Sequence, residues 1–365
     1  MMQVPSRQPF PFDAVIRKKQ VFLGWTTVLI TGVLISVLLA VCFGTVKIAP
    51  EAALKIILFK MFHINIGDIA AQASRAHLDI IWEIRFPRIL MAVITGAGLA
   101  MCGTAMQSSV QNPLADPYIL GISAGASLGA TFSILLNASG IFSGLPTAFW
   151  AFIGALAASL LVMVLSGIGS QVSTVKMVLA GTIANALFSA FSSFIIYIAS
   201  SAEGIRTVTF WTMGSLAAAK WNNILLPGLG VLLGSIFLLA QSRNLNALLL
   251  GEEAATTLGI TLQAVRRNII LVTALLTGLI VSSCGVIGFV GLIIPHIVRG
   301  FVGSDHRRLL PSAMLTGALF LIWADVLART ALPSGELPIG IITALIGAPF
   351  FMYVLFKNSL GFSNK

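Results

Sequence analysis

Several long stretches of this chain contain no charged residue. Three of them run from 20 to 46, from 89 to 115 and from 177 to 202. Each exceeds the roughly 20 apolar residues that a helix needs to cross about 30 Å of hydrocarbon. Charged residues make up only 9% of the chain, against about 25% in a soluble domain. The pattern excludes soluble, disordered and coiled-coil chains, and it predicts an all-α, polytopic membrane protein.

Ten apolar segments, separated by charged and turn-forming residues, are predicted to span the membrane. They lie near 22–43, 89–109, 118–136, 147–169, 176–199, 222–241, 268–286, 287–303, 310–329 and 338–356. The seventh and eighth together occupy only residues 268–303, so one of them is expected to be short or broken. Small-residue clusters such as 121–126 predict close packing between helices.

One ten-helix domain is expected over 21–357, between tails at 1–20 and 358–365. The apolar run from Val21 to Val41 is longer than the 7–15 residues of a signal-peptide core, so we expect it to be retained as the first span.

The distribution of cations predicts the orientation. Ten crossings place both termini on one side, and that side carries thirteen of the 22 Lys and Arg residues. Because Lys and Arg accumulate in cytoplasmic loops, both termini are expected in the cytoplasm. The net charge of +10 is dispersed between apolar runs rather than gathered on one face. Nucleic acid is therefore not an expected partner.

Reactive side chains are scarce. The chain has no HExxH pair and no phosphate-binding GxxxxGK[ST] loop, so it lacks the parts to hydrolyse a nucleotide. Cys42, Cys102 and Cys284 lie in apolar runs and are expected to pack in the core. Asp325, the only acid well inside a span, is expected to accept hydrogen bonds between helices, with a role in transport as the alternative. His296 follows Pro295 and is expected to bond a freed backbone carbonyl, with a haem or metal ligand as the alternative.

The stretch 242–267 is the most polar internal segment on the predicted cytoplasmic side. Within it, residues 251–259 predict a short helix that ends at Gly259. This helix is either a solvated connector or a docking helix for a partner, since small residues at 254–255 permit close approach. The order Glu253-Ala254-Ala255, three residues, then Gly259 resembles the cytoplasmic loop by which importer permeases engage their ATPase.

Further motifs extend this resemblance from about residue 80 to 357. The chain resembles the FecCD-type family of iron-chelate, haem and cobalamin ABC importer permeases. The motifs that carry the resemblance are Arg85-Phe86-Pro87-Arg88, 96–100, 111–117, 288–299, Asp305-His306-Arg307 and 336–340. Residues 1–20 and 60–80 contribute no motif to this resemblance.

The resemblance implies a type II ABC importer fold, a homodimer, and two ATPase subunits on the cytoplasmic side. It also implies a periplasmic or lipid-anchored substrate-binding protein outside, and a bacterial inner-membrane location. No cofactor is expected on this chain, with ATP and Mg on the partner ATPase.

Residue by residue, the resemblance implies three sites. Binding-protein docking falls on Arg85, Arg88 and Arg329, with anchoring at the membrane interface as the alternative for Arg88. ATPase coupling falls on Gly251, Glu252, Glu253, Ala254, Ala255 and Gly259. The inner gate falls on Ser173 and Thr174, where Val175 departs from the hydroxyl of the related cobalamin permease.

The function implied is passage of a ferric siderophore or related iron chelate, powered by a partner ATPase. Cobalamin and haem are alternatives within the same family. An ion-coupled secondary transporter is the rival of another class, although it would need intramembrane carboxylates that this chain lacks. A membrane-embedded enzyme is disfavoured because no catalytic constellation is evident.

Overall fold

The computed structural model of the chain describes residues 12–44, 46–64, 75–136, 145–167, 174–257, 259–332 and 335–362. Across these ranges the regular structure is helical, with one isolated β-bridge between Leu332 and Gly335. The all-α prediction is confirmed.

The α-helices, in chain order, are α1 Phe12–Cys42, α2 Pro50–Phe62, α3 Arg75–Asp79, α4 Phe86–Val110, α5 Ile122–Leu136, α6 Thr147–Gly167, α7 Thr174–Ile198, α8 Ala202–Thr212, α9 Trp221–Ala240, α10 Ser242–Leu248, α11 Glu252–Thr257, α12 Leu262–Cys284, α13 Val290–Val302, α14 His306–Thr330 and α15 Ile339–Phe362. A π-helical turn, Ile80–Arg85, joins α3 to α4, and a 3₁₀ turn, Pro117–Leu120, precedes α5.

The long apolar helices coincide with the predicted spans. Within the described ranges, seven helical segments are long and apolar enough to cross a membrane, and three shorter apolar helices lie at Ile122–Leu136, Val290–Val302 and Ile339–Val354. Each matches one of the ten predicted segments. The expectation of a short helix within 268–303 is confirmed, because α13 has only 13 residues.

Helix α4 lies at the centre of the bundle and is buried along almost its whole length. It packs antiparallel to α14, and their closest approach is at Gly96 and Gly317. A Cβ atom on either glycine would collide with the backbone carbonyl of the other. The same arrangement joins Gly125 of α5 to Gly154 of α6. The predicted close packing through small residues is confirmed.

The backbone between α12 and α13 is non-helical and lies inside the bundle. Part of it hydrogen-bonds to distant segments of the protein. The Tyr118 hydroxyl donates to the Ile287 carbonyl at 3.1 Å, and the Ser215 N–H donates to the Cys284 carbonyl at 2.8 Å. Such backbone is tolerated at membrane depth only where protein satisfies it. The three cysteines are buried and free, which confirms their predicted place in the core.

The bundle has two ends that carry the predicted sites. We call the end where α4 begins and α14 finishes the arginine end, because it holds Arg85, Arg88 and Arg329. We call the opposite end, where α4 finishes beside α10 and α11, the loop end. The antiparallel pair α4 and α14 connects the two ends.

Candidate functional site

Arg85 is held inside the arginine end by backbone carbonyls. It is the last residue of the π-helical turn and is only 5% exposed. Its guanidinium donates to the carbonyls of Val41, at 2.8 Å, Cys42, at 3.2 Å, and Val46. The first two acceptors are the last residues of α1 and the third follows it, so Arg85 fixes the end of α1 against the start of α4.

Arg88 and Arg329 share one buried carboxylate. Arg88 Nε lies 2.8 Å from Asp325 Oδ1, and Arg329 Nε lies 2.9 Å from Asp325 Oδ2. Arg88 Nη1 also lies 2.6 Å from Glu336 Oε2, whose side chain is 48% exposed. Asp325 itself is fully buried. The prediction that Asp325 links helices is confirmed, because its partners lie in α4 and in α14.

The three arginines predicted for docking are thus brought together at one end of the bundle. None is more than 7% exposed, and Arg329 also donates to the carbonyls of Phe43 and Ala40. With two carboxylates against three guanidinium groups, the cluster has a net charge of about +1. Docking through these residues stays a prediction, and the half-exposed member of the cluster is Glu336.

The predicted coupling helix is present at the loop end as α11. Gly251 and Gly259 flank it, with φ of +96° and +78°, in the left-handed region that favours glycine. Ala254 is exposed, whereas Ala255 is fully buried within this chain. A partner at this helix would therefore meet Ala254 rather than Ala255. The side chains of Glu252 and Glu253 lie outside the described residues.

The predicted gate is described only in part. Ser173 lies outside the described residues, and Thr174 is the first residue of α7, with a side chain that is not described. Val175, the residue that follows the predicted gate, is 67% exposed.

A polar cavity borders α7, and the sequence reasoning missed it. The cavity has a volume of about 490 Å³ and is lined by Ser123, Ala124, Ser127, Asn185, Ser189, Ser192, Ser193, Thr212 and Val286. We call it the α7 cavity. The signal was present in the sequence, since Asn185, Ser189 and Ser192 recur every three or four residues along one face of an apolar helix.

His296 does not have the role predicted for it. Pro295 lacks an N–H, so the carbonyl four residues earlier, that of Gly291, loses its helical donor. The Gln107 amide of α4 lies 3.4 Å from that carbonyl and 3.1 Å from the Leu292 carbonyl. The His296 ring instead lies against Phe350 and Phe351, at 6.1 and 6.4 Å between ring centroids. The freed carbonyl thus accepts a hydrogen bond from a side chain of a neighbouring helix.

Asp305 caps the start of α14 at the loop end. Its Oδ1 accepts from the Arg307 N–H at 3.1 Å and from Asn246 Nδ2 at 2.7 Å. Partial burial raises the pKa of Asp305, but these two hydrogen bonds and the charges of Arg308 and Arg307 outweigh it, so its pKa lies below the usual value. The carboxylate is therefore ionised at neutral pH and available as an acceptor.

A bundle of long apolar helices, with irregular backbone protected in its interior, defines a multi-pass membrane protein of the transporter type. The chain belongs to the FecCD transport family, whose pattern it matches over residues 32–357. It is the permease of an ABC importer, and the family resemblance seen in the sequence motifs is confirmed.

Named relatives and a solved structure agree with this assignment. The chain is 42% identical to a cobalamin import permease from Halobacterium salinarum, over 76% of this chain and 73% of the relative. It is 40% identical to a hemin transport permease from Yersinia pestis, over 77% of this chain and 85% of the relative. An inward-facing structure of a metal-chelate type ABC transporter matches with a TM-score of 0.78 and 32% identity, over 93% of this chain and 99% of that one.

Proposed function

We propose that this permease imports a ferric siderophore or a related iron chelate across the bacterial inner membrane. It acts as a homodimer and receives substrate from an external binding protein. Two separate ATPase subunits, which carry the ATP and Mg, drive the transport. The similar permeases named for cobalamin and hemin support a metal chelate with a large organic ligand as the cargo class. Cobalamin and haem are the alternative cargoes.

The observation that carries the cargo class is the α7 cavity. Seven of its nine lining residues carry a hydroxyl or amide group, the other two are Ala124 and Val286, and none is charged. Polar groups that face a cavity within a membrane span usually mark a substrate path. Hydroxyl groups both donate and accept hydrogen bonds, so the lining suits a polar cargo of low net charge, such as an iron chelate.

The two ends of the bundle face opposite sides of the membrane and meet different partners. The arginine end faces outward and meets the binding protein, while the loop end and both termini face the cytoplasm, in keeping with the excess of cations on that side. Arg88 is reached by a partner carboxylate only if Glu336 moves away from it. A bidentate guanidinium–carboxylate contact then replaces the internal pair.

At the loop end, α11 is the docking helix for the ATPase, and Ala254 is its contact residue. The start of α7 at Ser173 and Thr174 forms the inner gate of the path. Residues 21–357 form one permease domain around this path.

The test is reconstitution of the permease with its cognate ATPase and binding protein in liposomes. Uptake of radiolabelled ferric siderophore, haem and cobalamin is measured with ATP, without ATP, and with a hydrolysis-deficient ATPase as control. We expect ATP-dependent accumulation of an iron chelate. Accumulation of cobalamin or haem alone would replace the siderophore assignment with that cargo. Uptake that ignores ATP and is abolished by ionophores would overturn the proposal in favour of a secondary transporter.

A further inference from the structure

A buried polar network lies at the loop end, with His306 at its centre. His306 is fully buried, and its Nδ1 lies 2.8 Å from Asn246 Oδ1. Asn246 Oδ1 also accepts from the His306 backbone N–H at 2.8 Å, and Asn246 Nδ2 donates to Asp305. Because the carboxylate accepts, the amide nitrogen must face Asp305 and the amide oxygen must face His306. Nδ1 therefore carries the proton, and Nε2 of the neutral ring is left to accept from the hydroxyl of Ser108, its partner in α4.

The network joins three helices by hydrogen bonds. Ser108 belongs to α4, Asn246 to α10, and His306 is the first residue of α14. A second bond, from Gln111 Nε2 to the Leu248 carbonyl, ties the end of α10 to the end of α4. Helix α10 is thus attached to the α4–α14 pair by directional bonds at two points.

Helix α10 leads directly into α11. Only residues 249–251 separate them. Leu245 and Leu248 bury one face of α10 completely, so α10 is anchored by apolar contacts as well as by hydrogen bonds. Helix α11 contacts both α10 and α12, so a displacement of α11 reaches the bundle through α10 as well as through α12. Apolar contacts tolerate sliding, whereas hydrogen bonds of fixed direction do not.

The same helix pair is joined at both ends of the molecule. At the loop end Ser108 of α4 contacts His306 of α14, and at the arginine end Arg88 of α4 pairs with Asp325 of α14. The pair therefore connects the two ends of the molecule through polar contacts at each of them. Coupling between distant sites travels through hydrogen-bonded networks and rigid elements of this kind.

We propose that Asn246 and His306 are positioning residues that couple the ATPase-docking helix to the α4–α14 pair. The inference rests on the proposed function, since it takes α11 as the ATPase contact. It adds that transmission runs through the Asn246–His306–Ser108 network. Loss of the network leaves ATP hydrolysis in place but disconnects it from substrate movement.

The experiment measures substrate transported per ATP hydrolysed, in liposomes that hold the permease, its ATPase and the binding protein. Asn246→Leu removes the amide and keeps a side chain of similar size. We expect ATPase assembly and basal hydrolysis to remain, and substrate per ATP to fall at least about fivefold, the lower range of typical coupling effects. His306→Gln keeps one donor and one acceptor and is expected to restore part of the ratio that His306→Leu loses.

The matched control is Ser36→Ala. Ser36 accepts from Trp323 Nε1 of α14 at 3.0 Å, so its replacement also removes one hydrogen bond to α14, but far from α10. This control is expected to leave substrate per ATP unchanged. If Asn246→Leu does not assemble, Ser108→Ala takes its place, because it removes one hydroxyl and leaves α10 unaltered.

The outcomes are distinguishable. If the wild-type complex shows no ATP-dependent uptake, the proposed function fails and this inference with it. If the wild type transports and Asn246→Leu or Ser108→Ala lowers thermal stability with an unchanged substrate-per-ATP ratio, the network is purely structural, and the inference alone is overturned.

Discussion

At the scale of single residues, Asp325 is the buried acidic partner of two arginines at the arginine end. It is fully buried and faces the guanidinium groups of both Arg88 and Arg329. A buried ion pair adds little net stability, because desolvation offsets the attraction, but removing one partner leaves an uncompensated buried charge. Here the loss of the Asp325 carboxylate would leave Arg329 without a carboxylate partner, while Arg88 would keep only Glu336.

We therefore expect Asp325→Asn to destabilise the permease by about 3–5 kcal/mol. The matched variant is Glu336→Gln, which breaks the other pair of Arg88. Because Glu336 is half exposed, this second change should cost only about 0–1 kcal/mol. The measurement is thermal unfolding in detergent, followed by intrinsic tryptophan fluorescence. If the two variants lost the same amount of stability, the burial of Asp325 would not be what determines its contribution to stability.

The sequence showed which polar residues were unusual but not which residues they contact. Asp325 was correctly expected to link helices, since an isolated acid in a span needs a partner. The two arginines beside it could not be chosen from the sequence, because that choice depends on which helices are neighbours. The prediction for His296 was wrong for the same reason. The amide that reaches the Gly291 carbonyl belongs to Gln107, which lies 184 residues away from Gly291 in the sequence.

At the scale of elements, helix α11 exposes one of its two adjacent alanines and buries the other. Ala254 is exposed and Ala255 is fully buried. Ala254→Trp is expected to leave the permease folded and to abolish the stimulation of the ATPase. Ala255→Trp is expected to lower the stability of the permease itself, by about 1–3 kcal/mol, because it overpacks a filled site. Thermal unfolding and ATPase assays on both variants check this. Unchanged ATPase stimulation by Ala254→Trp would contradict docking at α11.

The packing of α4 on α14 gives a second prediction at this scale. A Cβ atom at Gly317 would collide with the Gly96 carbonyl, so Gly317→Ala must push the two helices apart. We expect it to lower stability by about 1–3 kcal/mol. The control is Gly24→Ala in α1, where a Cβ atom meets nothing within 4 Å. That change should be neutral or mildly stabilising, because alanine favours helix. Similar unfolding temperatures for the two variants would rule out the close approach.

The positions of the helices were predictable because hydrocarbon imposes a length and a composition on every span. All ten predicted segments have a helical counterpart, and the short α13 was implied by the space left for it. The interior course of residues 285–289 was not predictable. It depends on Tyr118 and Ser215, which lie far away in the sequence and supply its hydrogen bonds.

At the scale of the whole molecule, α4 and α14 form a continuous connection between the two ends. The same pair carries the buried carboxylate at the arginine end and the His306 network at the loop end. If one end receives substrate and the other receives the ATPase, the two ends must lie on opposite sides of the membrane. The orientation is therefore a requirement of the proposed mechanism, and it can be tested without transport.

Cysteine labelling tests this orientation directly. The native cysteines are buried, so they give little background with a membrane-impermeant maleimide. Glu203 is the second residue of α8, which follows α7, and Arg243 lies in α10 at the loop end; both are exposed. Glu203→Cys is expected to label in intact spheroplasts, and Arg243→Cys only after permeabilisation, because the cation-rich side remains in the cytoplasm. The reverse pattern would invert the molecule and would place the docking helix where no ATPase can reach it.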